Sequence, residues 1–94
     1  MALYLLHFTR PHFHNRHYLG FTETVEGVTA RIKRHRAGTG ARLIKQILRD
    51  GNDFVLARIW PVGDRAMERK LKRKKNGPGL CPICQAEKPK NGRQ

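Results

Sequence analysis

A chain of 94 residues forms at most one compact domain with a thin core, which excludes a deep, enclosed small-molecule site and favours a surface cleft. Twenty Lys and Arg against seven Asp and Glu leave a net charge of +13, with basic residues recurring along the whole chain, so the natural partners are polyanions: DNA, RNA or an anionic membrane surface. No apolar run approaches the ~20 residues of a membrane span, the apolar start lacks the flanks of a signal peptide, and two cysteines are too few for a disulfide framework, so an intracellular, cytoplasmic protein with no membrane partner is expected.

Residues 2–8 (ALYLLHF) are apolar and rich in β-formers and predict a buried strand. Residues 9–16 (TRPHFHNR) read as a loop, and 17–21 (HYLGF) as a second strand, paired with the first because the connection is too short for a crossover helix. Thr22 or Thr24 can cap a helix running to about Arg36, with Val25, Val28 and Ile32 inward. Gly38-Thr39-Gly40 stops it. Residues 41–49 predict a second helix with a stripe of Leu43, Ile44, Ile47 and Leu48. Asp50-Gly51-Asn52-Asp53 is a turn, 54–60 (FVLARIW) a third strand ended by Pro61, and Asp64 the cap of a third helix with Met67 and Leu71 inward. The expected fold is therefore α+β, a small three-stranded antiparallel sheet flanked by helices in the order β-β-α-α-β-α, over residues 1–76. Residues 77–94 read as a Gly/Pro-rich basic tail carrying one C-x-x-C in a turn.

Several residues could carry chemistry. Tyr4 and Tyr18 fall on adjacent strands. Arg31 and His35 are four apart and share a helix face. Glu68 lies near the start of the third helix in a strongly basic run. Phosphodiester hydrolysis needs a group that handles a water proton, a cation for the anionic phosphorus centre and a carboxylate-held metal. A phenol or imidazole, an arginine and a glutamate supply these.

The order of these residues resembles the GIY-YIG endonuclease family. Ala2-Leu3-Tyr4 stands where that family has Gly-Ile-Tyr, with Ala2 in place of the first Gly, and Tyr18-Leu19-Gly20 where it has Tyr-Ile-Gly. Arg31 and His35 follow in RIKRHRAGTGAR, and Glu68 in MERKLKRKK, over about residues 2–76. The resemblance implies a metal-dependent nuclease, acting on DNA, that uses Mg²⁺ or Mn²⁺. Tyr18 would be the general base or water-orienting group, helped by Tyr4. Arg31 would hold the scissile phosphate, His35 would orient a tyrosine or donate to phosphate, and Glu68 would bind the divalent ion. Asn76 is the candidate for an asparagine that the family often carries after the Glu. Lys33, Arg34, Arg42, Arg69, Lys72 and Arg73 are candidate phosphate contacts. These would position the nucleic acid without specifying its sequence, so a protein partner supplying specificity fits a domain this small.

Each residue also has a plainer reading. Tyr4 and Tyr18 can be core residues, Arg31 and His35 surface helix residues, and Glu68 an ion-pair partner of Lys72. Cys81 and Cys84 form half of a Zn²⁺ site, which His12, His14 or His17 could complete across the fold. The rival to the nuclease is thus a non-catalytic, basic DNA- or RNA-binding module with a zinc-stapled C-terminus.

Overall fold

A computed structural model of the chain describes residues 1–13, 15–74 and 80–87. The elements are β1 (Ala2–His12), β2 (Asn15–Thr22), α1 (Gly27–Arg36), α2 (Arg42–Arg49), β3 (Phe54–Trp60), α3 (Arg65–Lys74) and a short α4 (Pro82–Glu87). The strands form one antiparallel sheet in the order β2-β1-β3, as expected of an α+β fold. Asn76 and His14, both singled out by sequence, lie outside the described residues.

The central strand sets the layering. Residues 2–8 are all buried, as a strand covered on both faces requires. Side chains alternate, so Tyr4, Leu6 and Phe8 point to one face and Leu3, Leu5 and His7 to the other. The first face packs with Val28, Ile44, Ile47 and Phe54 into the hydrophobic cluster, against α1 and α2. On the second, Leu3 lies close to Gly63 and Met67 at the entry to α3, and His7 meets the α4 segment. The register between β1 and β3 shifts between Leu5 and Leu6, so that Ala57 is passed over and Arg58 and Trp60 share the second face.

Several boundaries differ from the sequence reading. The hairpin reaches much further, with His12 opposite Asn15, so most of the expected loop is strand. Its tip places Phe13 at φ 57° and leaves that ring 85% exposed. Helix α1 begins at Gly27, whose N–H donates to Thr24 Oγ1 at 3.3 Å, and Val25 is exposed outside it. Asp64 caps α3 as expected, accepting the Met67 N–H at 2.8 Å. The C-x-x-C does not sit in a loose turn: Cys84 is in α4 and Cys81 immediately precedes it. Among the described residues no helix is long and apolar enough to cross a membrane.

Three arginines lie flat on aromatic rings around the sheet: Arg36 over Phe54, Arg58 over Trp60 and Arg65 over Phe21, each 4.4–4.5 Å from the centroid. Arg36 also pairs with Asp53 at 3.0 Å.

The turn before β3 is more than a turn. Asn52 is buried, accepts from Thr9 Oγ1 (2.7 Å), Arg10 N–H (3.1 Å) and Asp53 N–H (2.8 Å), and donates to the Arg10 carbonyl at 2.7 Å. It ties the far half of β1 to the start of β3. Asn52→Ala leaves those groups without their partner, at a cost of about 2 kcal/mol. The thermal midpoint should fall by roughly 8–16 °C in a melting experiment.

Candidate active cleft and candidate metal centre

Tyr4 faces Gly20 across the β1–β2 ladder. A Cβ at position 20 would lie inside the Tyr4 ring, so only glycine lets that ring lie across β2. Its hydroxyl meets His35 Nε2 at 2.8 Å, both groups being buried. The other nitrogen, Nδ1, accepts the Ala41 N–H at 3.3 Å. A neutral ring that accepts at Nδ1 carries its proton on Nε2, so His35 donates to the Tyr4 oxygen. Burial, and then the charges of Arg31 and Arg34, push the His35 pKa down, which keeps the ring neutral. Gly40 gives it room: a Cβ there would collide with Nδ1.

Tyr4 is fully buried, and its pKa is pushed up to about 12, first by burial and then by Tyr18, with Arg31 opposing. It stays a neutral phenol at pH 7 and does not reach solvent. Its place is behind the site, holding His35. Tyr18 is half-buried and its ring meets the His35 ring edge-on, with centroids 5.6 Å apart. Tyr18, Arg31, Arg34, His35, Thr39, Gly40 and Ala41 line an open cleft of about 310 Å³. The arrangement can receive an anionic group against two guanidinium groups, with a phenol beside it.

Four of the five expected catalytic residues thus converge: Tyr4, Tyr18, Arg31 and His35. Glu68 does not join them by any hydrogen bond or ion pair among the described residues. It is buried on α3, 3.6 Å from Arg65 and 3.3 Å from Lys72, so the ion pair that its spacing to Lys72 allows is formed. Its helix starts beside Phe21, whose side chain alternates to the face opposite Gly20. The candidate phosphate contacts Lys33, Arg34, Arg42, Arg69, Lys72 and Arg73 are all exposed.

A second group lies on the other face of the sheet. His7 and His17 are directly opposite one another in β1 and β2, with His7 Nδ1 and His17 Nε2 3.3 Å apart. Cys81 Sγ lies 3.4 Å from His7 Nδ1, and Cys84 Sγ 3.5 Å from His7 Nδ1 and 3.3 Å from His17 Nε2. All four donor atoms fall within 4.8 Å of each other, and this group could hold a metal ion. Tetrahedral bonds of ~2.3 Å to sulfur and ~2.0–2.1 Å to nitrogen put ligand nitrogens ~3.3 Å apart and sulfur from nitrogen ~3.5 Å. The four spacings given above match those edges. Neither cysteine is in a disulfide. The His17 pKa is pushed down to about 4 by burial, His7 and Arg16, so its nitrogen lone pair is available at neutral pH.

Of the three histidines expected to complete the C-x-x-C, His17 does so. His12 instead lies 3.5 Å from Asp50. His7, hidden in an apolar strand, is the candidate ligand that the sequence reading missed. The signal was available in the hairpin register: aligning Tyr4 with Gly20 places His7 against His17.

The chain matches no protein-family model, no curated protein and no solved structure.

The Tyr4–His35 pair has a spectroscopic signature. The chain has two tyrosines. An ultraviolet titration should show one phenol ionising near pH 12, and Tyr4→Phe should remove that step. Because the folded pKa lies above the unfolded 10.0, stability from this group is full below pH 10 and is lost as pH rises through about 12. The thermal midpoint of wild type should therefore fall more steeply over that window than that of Tyr4→Phe.

Proposed function

We propose that the protein is a metal-dependent endonuclease hydrolysing phosphodiester bonds in nucleic acid, with DNA as the substrate. The observation that carries this reading is the cleft in which Tyr18, Arg31, Arg34 and His35 meet, on a chain of net charge +13. It accords with the resemblance to the GIY-YIG endonucleases. Arg31 and Arg34 would hold the phosphate and stabilise the negative charge that builds at phosphorus. Tyr18 would orient the attacking water. Tyr4 and His35 would hold the floor of the cleft in one arrangement, since each satisfies the other's buried polar atom.

Under this reading Glu68 would be the carboxylate for Mg²⁺ or Mn²⁺, although its helix starts on the face of the sheet opposite the cleft. It is a hard oxygen donor of the kind these ions take, and an ion would compete there with its partners Arg65 and Lys72. When bound, such an ion would polarise a phosphodiester oxygen. Sequence choice would come from a protein partner, because phosphate contacts by the exposed cations would position the nucleic acid without specifying its sequence.

For the group of His7, His17, Cys81 and Cys84 we infer Zn²⁺. Two thiolates and two imidazoles are its usual structural donor set, and a sphere closed by four protein ligands leaves no position for substrate. Such sites contribute an apparent ~10–16 kcal/mol in zinc-finger peptides.

The second reading is a zinc-stapled DNA- or RNA-binding module without catalysis. It is favoured by one observation: the Glu68 carboxylate is paired inside its own helix. Incubating the purified protein with supercoiled and linear DNA, with and without added Mg²⁺ or Mn²⁺, separates the two. The nuclease reading expects metal-dependent cutting that falls at least ~100-fold in Glu68→Ala, Arg31→Ala and Tyr18→Phe. Salt-sensitive binding with no cutting under either metal would assign the module instead.

A further inference from the structure

We propose that the zinc ion is what docks the C-terminal helix, so that α4 is seated on the sheet only in the zinc-loaded protein. This rests on the zinc reading of the His7, His17, Cys81 and Cys84 group. It is independent of the nuclease reading.

The case starts from the length and the side chains of α4. A helix of six residues is far below the ~12–15 at which an isolated helix persists in water. The segment brings few apolar contacts to the sheet. Leu80 and Ile83 are half-buried, while Pro82, Gln85 and Ala86 are exposed. Among its described residues the fully buried side chain is Cys81, and that sulfur lies against the imidazole of His7. A further tie, from Arg58 Nη1 to the Leu80 carbonyl at 3.3 Å, is exposed to water. The contact between α4 and the sheet is thus built around ligand atoms from three places: β1, β2 and the C-x-x-C. Without an ion, two imidazoles and two thiols are gathered under the helix, their donor atoms within 4.8 Å of one another and bridged by no metal. With one, all four donors are used.

The other face has no such dependence. Its cluster of Ala2, Tyr4, Leu6, Phe8, Val28, Ile44, Ile47 and Phe54 contains none of the four ligands. Removing the ion should therefore release α4 while leaving the sheet, α1 and α2 folded.

The chain carries its own reporter. Trp60 is its single tryptophan, and the Arg58 guanidinium stacked 4.5 Å above that ring is the group that reaches Leu80. Seating the segment holds Arg58 over the indole, and releasing it frees the arginine.

The test uses the full chain, stripped of metal under reducing conditions and titrated with Zn²⁺, and with Co²⁺ as a spectroscopic stand-in. Bound metal, Trp60 emission and amide hydrogen exchange are read together. The expected result is one ion per chain, the absorption of tetrahedral cobalt thiolate, and a change in Trp60 emission. Exchange in residues 80–87 should slow about tenfold or more on loading, while residues 28–48 change less than about twofold. Cys84→Ser should abolish these responses. His7→Cys should keep them, because a cysteine sulfur, like Nδ1, lies close to the backbone. Failure of the wild type to bind zinc at micromolar concentration would overturn the zinc reading and the docking together. Zinc bound with no change in residues 80–87 would leave the zinc reading standing and overturn the docking. Loss of protection across residues 28–48 without zinc would also overturn it, since the ion would then hold the whole fold.

Discussion

The alignment of β1 with β2 is the constraint on which everything else depends. It sets Tyr4 against Gly20 and, three residues on, His7 against His17. Three is an odd number of residues, so the two pairs project to opposite faces of the sheet. A slip of one residue would drive the Tyr4 ring into a side chain of β2 and separate the two imidazoles at once. A single pairing register therefore assembles both the cleft and the soft-donor group. The apolar residues between them, Leu5 and Leu6, are fully covered, which leaves that register no polar alternative.

The cleft shows how a very basic helix can still have an inner face. The last turn of α1 is Lys33, Arg34, His35 and Arg36. Of these four, histidine alone can shed its charge at neutral pH, and it is the one turned into the protein. The neighbouring guanidinium groups stay outside, where water solvates them, and their fields help keep the ring neutral. The phenol oxygen of Tyr4 completes the arrangement by accepting a hydrogen bond from the one N–H the ring retains. Glu68 resolves the same problem differently. It keeps two cations from its own helix beside its carboxylate, which is how a buried acid is tolerated without a hydrogen-bonding core around it.

Much of the architecture was legible in the sequence. Three β-rich runs and two amphipathic segments carry clear periodicity, and their order restricts the fold to a small antiparallel sheet with helices. The convergence of Tyr4, Tyr18, Arg31 and His35 was legible too, because strand pairing and helical spacing are local geometry. What was not legible depends on pairing at longer range. Residues 9–12 look like a loop because Pro11 interrupts the run, yet Asn52 holds the backbone of Arg10 from more than forty residues away. Val25 has the right spacing for a buried helical position but precedes the helix. His7 is disguised by the apolar residues around it, and the C-x-x-C by glycine and proline, so neither half of the metal group predicts its partner. Where Glu68 points was beyond the sequence as well, since that depends on how α3 lies on the sheet.

The three arginines stacked on Phe54, Trp60 and Phe21 qualify the meaning of the net charge. Each is committed to a ring, and Arg36 and Arg65 also face carboxylates. A cation already engaged in this way keeps its charge in the long-range field that draws a polyanion in, but gives up part of the freedom needed to sit on a phosphate. Under the proposed nucleic-acid-binding function, the number of counterions displaced would therefore be set by the other basic side chains along α1 and α3, not by the formal charge. Under that proposal, all the arginines would share in capture from a distance, and the uncommitted ones would govern the tightness of the final complex.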